Sequence, residues 1–499
     1  MSEPAPFLVA DADVSALREA VAEIGRAGYC ETAVRDRLGL NDITDLTWRS
    51  LPIYRDERLA ARDTLAVAID LFLLQGAATS GEMERLLPGP SRDVLLRTGL
   101  IEIDAAGVVR ARASLFPVGG QLIFSDHAWP ELPHPGRPIV PYDQVMAVGL
   151  DSRHLAHSTV RKPVRSALDL CTGSGVHALL AAVHAQRVLA VDINPRAVGC
   201  TRFNARALGA GNLETIEGDL FDSVGDERFD LITANPPFVP SPVDEIQFRD
   251  GGRSGEDVQK RIVGGLPRHL APGGIAQIVT ELGERDGEPL TGRLREWLAG
   301  APIDIFLLRL STHSAAQYAV GHATGDGFGA FLDSTRTWAD NLRAQGYSRV
   351  VSVVVSFQWS LAAAGPPWER TVECRAPQRS AGAEIESIFH AERLARIPEL
   401  REYLEGCRLH RADPIARFDA SMLGGPAEVQ SRATRLGQAL AIEHELDAVE
   451  RRLLARMEGS VAASDLLRHE PEFDAPEGSI LEAIRSLVRK RLALIDVPH

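Results

Sequence analysis

The run Leu168-Asp169-Leu170-Cys171-Thr172-Gly173-Ser174-Gly175 constrains the fold of this chain more than any other. It carries an apolar strand into a turn with two glycines and then into an apolar helix at 176–184. Glycine permits the tight turn and lets backbone N–H groups approach a ligand closely. Later strands repeat the theme. The strand Val188-Leu189-Ala190-Val191-Asp192 ends in a carboxylate, the next runs into Glu217-Gly218-Asp219-Leu220, and an apolar run at 229–234 ends in Asn235-Pro236-Pro237-Phe238. Further strands are expected at 274–279, 303–310 and 350–357, with helices between most of them. Alternation of this kind from about 151 to 360 predicts an α/β fold: a Rossmann-like, doubly wound and mainly parallel sheet.

Polar residues at successive strand ends define a nucleotide site. An acid at the end of the second strand, here Asp192, suits ribose hydroxyls. Gly173, Gly175 and Ala178 also satisfy the looser GxGxxA form of a dinucleotide fingerprint. Asp169 argues the other way: a pyrophosphate prefers an uncharged, N–H-rich loop, whereas a carboxylate at the loop mouth suits a cationic ligand. The Asn-Pro-Pro-Phe strand end has no use in hydride transfer.

Together, Asp169 to Gly175, Asp192, Asp219 and Asn235 to Phe238 resemble the ordered motifs of class I S-adenosylmethionine (SAM)-dependent methyltransferases of the amino-methylating branch. Within that branch the likeness is to the release-factor glutamine methyltransferase group. It covers residues 165–285 and includes the glycine-containing segment Arg249-Asp250-Gly251-Gly252-Arg253-Ser254-Gly255-Glu256. The resemblance implies SAM as cofactor, with Asp192 on the ribose, Asp219 and Leu220 on the adenine, and Gly173 and Gly175 lining the methionine end; Asp169 and Asn235 are also expected to bind the cofactor. The chain departs from that group in having Phe238 in place of Tyr, a longer N-terminal region and about 130 further C-terminal residues.

The motif carries its own mechanism. The nitrogen of an amide or a nucleobase amine has a delocalised lone pair and is a poor nucleophile. The Asn235 side-chain oxygen and the Pro236 carbonyl can accept both of its N–H protons, aiming the nitrogen and stabilising the charge that grows on it. The two prolines stiffen the loop and keep Asn235 extended. Phe238 is expected to offer a flat face to a planar acceptor. Asn235, Pro236 and Phe238 are therefore the expected catalytic residues. Secondary candidates are His313, Gln317 and Tyr318 beyond the strand at 303–310, and Arg249 and Arg253 for an acidic substrate group. His177 and His184 read as surface or packing residues.

The flanks are less specific. Residues 1–111 read as a mainly helical domain. In it, helices near 80–87 and 94–99 and a ribbon at 100–111 have a winged-helix outline. Because no arginine cluster marks the second helix, we read it as structural or dimerising. Residues 112–150 form a strand and loop connection, 151–365 the methyltransferase domain, and 366–499 a helical domain, with helices expected at 383–394, 399–408 and 429–453 and a winged-helix-like end. The only lysines are Lys162, Lys260 and Lys490. Net charge is −14, which opposes a protein built to grip a phosphate backbone.

The five cysteines form no CxxC and no ligand-like pairs with histidine, so no metal is expected. Scattered thiols, and an N-terminus without an apolar leader, fit a cytoplasmic protein without a membrane partner. The expected function is N-methylation of a planar nitrogen, with a protein glutamine amide as the leading acceptor. The rivals are an RNA exocyclic amine, a small molecule or peptide of specialised metabolism, and a SAM-sensing winged-helix regulator. A homodimer is compatible with the flanking modules, and no feature marks a DNA reader.

Overall fold

The computed structural model describes residues 7–127, 142–243, 246–360, 365–374, 377, 379–420, 430–435, 438–457, 459–468 and 478–496. The chain divides into two compact units. The first comprises Met1–His157, Arg161–Ala301 and Ser311–Ser356; the second comprises Ser158–Val160, Pro302–Leu310 and Phe357–His499.

The first unit opens with helices α1 (Val14–Arg26), α2 (Glu31–Leu38), the single turn α3 (Leu51–Ile53) and α4 (Thr64–Phe72). Asp63 caps α4 by accepting the Ala66 N–H. α4 is buried from Ala66 onward, and its one acid, Asp70, is neutralised by Arg55 at 2.8 Å and Arg62 at 2.7 Å. α4 is thus a core helix, and among the described residues no helix is long and apolar enough to cross a membrane. Strand β1 (Ala77–Thr79), helices α5 (Ser80–Leu86) and α6 (Gly89–Arg97), and the antiparallel strands β2 (Ile101–Ile103) and β3 (Val108–Ala111) follow, in the sheet order β1-β3-β2. Thr79 and Glu82 form a reciprocal cap that starts α5.

The connection at 112–150 folds as the antiparallel hairpin β4 (Ser114–Val118) and β5 (Gln121–Ser125); the part at 128–141 lies outside the described residues. Its remaining length is tied to the sheet layer. Arg196 grips Asp126 through two bonds of 2.6 and 2.7 Å, and Asp126 in turn accepts the Val145 N–H at 2.8 Å.

After helix α7 (Leu150–Ser158) come β6 (Val164–Leu170), α8 (Val176–Ala182), β7 (Ala185–Asp192), α9 (Pro195–Leu208), β8 (Leu213–Glu217), β9 (Phe229–Ala234), α10 (Asp257–His269), β10 (Leu270–Glu284) and α11 (Leu290–Trp297). The parallel order is β8-β7-β6-β9-β10. The chain moves outward from β6 to β8 and then returns to β9, so strand order reverses between β6 and β9. Leu170 pairs with Ala234 there, and the glycine loop and Asn235 leave the sheet side by side. A crevice at such a reversal is where open α/β sheets bind ligands. Beyond β11 (Ile303–Ser314) lie two helices, α12 (Ala315–His322) and α13 (Phe328–Ala344), and then β12 (Arg349–Trp359).

In the second unit, β13 (Glu369–Glu373) pairs in parallel with β11. Helices α14 (Gly382–Ala395) and α15 (Leu400–Leu404) precede β14 (Arg408–Arg411), β15 (Ile415–Ala420), β16 (Gln430–Arg435) and β17 (His444–Leu446). Then come α16 (Ala448–Arg456), β18 (Val461–Ala462), α17 (Ala463–Arg468), α18 (Ser479–Arg489) and β19 (Ala493–Asp496). The helix expected over 429–453 is two strands and the start of α16. β16 pairs with β15 and β17, and Arg432 meets Glu443 and Glu445 across the ladder at 3.1 and 3.6 Å. The helix begins where Asp447 and Glu450 cap each other reciprocally.

Candidate active site

The loop after β6 is wound tightly. Cys171, Gly173 and Gly175 all take positive φ, at 54°, 56° and 84°. Gly173 has open space around its Cα, while a Cβ on Gly175 would lie 2.8 Å from Thr201. Helix α9 pins the loop from behind: the Thr201 hydroxyl donates to the Gly173 carbonyl at 3.0 Å and Asn204 Nδ2 to the Ser174 carbonyl at 2.9 Å. Gly173 N–H points the other way and donates to Asp192 at 2.8 Å.

A cavity of about 300 Å³ opens over this loop. Gly173, Asp192, Asp219, Leu220 and Asn235 line it, as the sequence placed them. Asp192 also accepts the Asn194 N–H, and burial raises its carboxyl above the usual range. Asp219 is held by Arg261 at 2.9 Å.

Four expected residues stand elsewhere. Asp169 is buried beneath the loop and does not face the cavity; it accepts the hydroxyls of Thr172 and Thr233, both at 2.7 Å, and the Ala178 N–H at 3.2 Å. Burial pushes its carboxyl up to about 7 against those bonds. It braces the loop rather than meeting a cation. Gly175 serves the close approach of Thr201 and does not line the cavity. Pro236 is buried, and Pro237 takes its place in the wall. Phe238 is turned away from the cavity into an apolar cluster with Tyr318, Trp338, Leu342 and Tyr347, so its flat face is spent on packing.

The cause is the glycine segment. A Cβ on Gly251 would sit 2.9 Å from Phe238 Cα and from the Pro237 carbonyl, and one on Gly255 would sit 2.4 Å from the Phe238 carbonyl. Only glycines let this backbone lie against the Pro237–Pro240 stretch, where Val239 N–H donates to Arg249 O and Gly251 N–H to Val239 O, both at 3.0 Å. Asn341 of α13 completes the clasp by donating to Pro240 O at 3.0 Å.

Several wall residues escaped sequence reasoning. Gln144, Val145 and Met146 come from the connection before the sheet, and Ser152 comes from α7. Their only sequence signal was an apolar segment leading into a helix at 150. Asn235 Nδ2 donates to Ser152 Oγ at 3.2 Å. The β9–β10 ladder ends with Ala234 opposite Ile278, and Glu281 lies three residues further along β10. Tyr318 donates to Glu281 at 2.5 Å. Burial pushes Glu281 up to about 7 and neighbouring Asp151 up to about 6.

Of the secondary candidates, His313 is exposed at the end of β11 and Gln317 caps α12 through Ser314. Arg249 pairs with Asp250 at 2.8 Å and lies over Trp338; Arg253 is exposed. His184 bonds the Lys162 carbonyl.

The lining fits SAM on its own chemistry. Asp192, Asp219 and Asp250 outnumber the single cation Arg261 in the wall, which favours a sulfonium over a pyrophosphate. His177, 5% exposed, also lines the cavity; neither ring nitrogen has a hydrogen-bond partner among the described residues, and burial lowers its pKa to about 3, leaving a neutral imidazole for a ligand to meet.

Comparison with known proteins agrees with this geometry. Residues 148–290 match the methyltransferase small domain family. The chain is 35% identical over 158 residues to a release factor glutamine methyltransferase of Geobacter sulfurreducens, covering 28% of this chain and 54% of the relative. It is 40% identical over 134 residues to a ribosomal protein uL3 glutamine methyltransferase of Bradyrhizobium diazoefficiens, covering 24% and 41%. A putative protein N5-glutamine methyltransferase of Methanocaldococcus jannaschii is 35% identical over 136 residues, covering 26% and 68%. The chain thus spans about half the length of the first two relatives.

Proposed function

Because this chain belongs to the class I SAM-dependent methyltransferases of the Asn-Pro-Pro-aromatic branch, we propose that it methylates a planar amide nitrogen, with a protein glutamine side chain as acceptor. The observation that carries this reading is the Asn235 amide in the cavity wall: its Nδ2 is committed to Ser152, which leaves Oδ1 as an acceptor for substrate N–H groups. The relatives named for release factor and uL3 glutamine support an amide over a nucleobase, as does the net charge of −14.

When bound, SAM supplies a methyl group made electrophilic by its sulfonium. Asp192 would hold the ribose, and Asp219 and Leu220 would border the adenine. Asn235 Oδ1 would accept an amide N–H of the acceptor and so aim its nitrogen lone pair into the cavity. This orients the poor nucleophile and stabilises its growing charge. The glycine clasp on Pro237 and Phe238 keeps that geometry from relaxing. The flanking regions, 1–111 and 366–499, are read as substrate-selecting.

Incubation with labelled SAM and separated protein, RNA and small-molecule fractions tests the acceptor class. Label in protein, located on glutamine by mass spectrometry, is the expected result; label confined to RNA or small molecules rejects it. Asn235→Ala should keep SAM affinity and lower turnover about a hundredfold, as for loss of a preorganised polar group.

A further inference from the structure

Asn235 sits at the end of β9 with its side chain at the cavity wall, and among the described residues Ser152 is the one hydrogen-bond partner of that side chain. Ser152 is 3% exposed and lines the same cavity. It is carried by α7, which belongs to neither the glycine loop nor the Asn-Pro-Pro-Phe turn. We propose that Ser152 is a positioning residue for the Asn235 amide, fixing the plane in which Oδ1 meets the substrate nitrogen.

The geometry supports a rigid hold. A terminal amide torsion has a broad, shallow preference, so an Asn side chain with no partner rotates through orientations that point Nδ2 at the substrate. Donor would then face donor. With Nδ2 held by Ser152, Oδ1 is the atom left for the N–H groups. The hold is only as good as the helix that carries it, and α7 is locked at the adjacent residue. Arg153 is 5% exposed and its guanidinium pairs with Glu31 at 2.5 Å and with Asp42. These acids belong to the helical N-terminal region. Asp42 itself also accepts the Thr44 N–H at 2.8 Å and is held below the usual carboxylate range. An N-terminal ion-pair set therefore fixes the helix, the helix fixes Ser152, and Ser152 fixes the catalytic amide. This gives the N-terminal region a role in chemistry that its distance in sequence conceals.

The proposal rests on the amide reading of the acceptor, so the test separates the two. Full-length wild type, Ser152→Ala, Ser152→Thr, Ser152→Val, Asn235→Ala and the Ser152→Ala/Asn235→Ala double variant are assayed with a glutamine-bearing acceptor, and SAM affinity is measured by calorimetry. Ser152→Ala should lower kcat about tenfold, the worth of one neutral hydrogen bond, with SAM Kd and acceptor KM nearly unchanged. Threonine keeps the hydroxyl and should restore kcat; valine, of the same shape, should not. In the Asn235→Ala background the serine change should cost nothing more, because coupled residues are non-additive. Additive losses, or valine performing like threonine, would overturn the assignment while leaving the amide reading in place. No wild-type transfer to glutamine would instead overturn the amide reading and this proposal with it.

Discussion

Gly251 lies so close to Phe238 that a single added methyl would come within 2.9 Å of the Phe238 Cα, and within the same distance of the carbonyls of Pro237 and Gly255. All three neighbours are backbone, so none can swing aside. Gly251→Ala should displace the Pro237–Phe238 turn and with it Asn235, while the glycine loop after β6 is untouched. Turnover should fall by roughly a hundredfold, the cost of a misplacement near 1 Å at a reacting centre. SAM affinity, measured by calorimetry, should change little.

Asp192 lines the cavity and also holds the loop by accepting the Gly173 N–H at 2.8 Å. Asp192→Ala should weaken SAM binding by about 1–3 kcal/mol, the range for hydrogen bonds to a charged group and for a donor left unpaired. Unchanged affinity in titration calorimetry would show that the ribose is held elsewhere.

Strand positions and strand-end chemistry were legible in the sequence, because strand-like runs are followed in order by Asp192, Asp219 and Asn235. The pattern could not tell which way a side chain turns. Asp169 and Phe238 occupy the motif positions expected, yet one faces down into Thr172 and Thr233 and the other faces α13. Those directions are set by partners far along the chain. Ser152 and Gln144 were missed for the same reason: nothing local distinguishes a serine on a helix that reaches Asn235 from one that reaches water. The misread helix over 429–453 shows the complementary failure, in which pairing with β15 outweighed local propensity.

Asp169 offers a stability test of its bracing role. Asp169→Ala would strand the hydroxyls of Thr172 and Thr233 and the Ala178 N–H, each at a cost of about 1–3 kcal/mol if it finds no other partner. The variant should melt well below wild type. Asp169→Asn keeps one acceptor oxygen for Thr172 and Ala178 and should fall between the two. If Asp169 met the cofactor directly, the alanine variant would lose SAM binding without losing thermal stability.

Glu281 gives a pH prediction whose sign can be worked out. Its carboxyl is pushed from 4.5 up to about 7 by burial, partly opposed by the bond from Tyr318 and reinforced by Asp151. Between those values the folded protein keeps a proton that the unfolded chain has released. Rising pH therefore removes stability through that window, and the loss is complete above 7. Glutamine in its place cannot ionise and still accepts from Tyr318. Glu281→Gln should then match wild type in melting temperature near pH 4.5 and exceed it by a few degrees at pH 8, since each kcal/mol shifts a domain of roughly 150–250 residues by about 2–4 °C and a larger unit by less. The measurement is made without SAM, because a ligand that binds the folded state raises the melting temperature on its own. A variant that gains nothing at pH 8 would mean that water or a cation already relieves the buried charge.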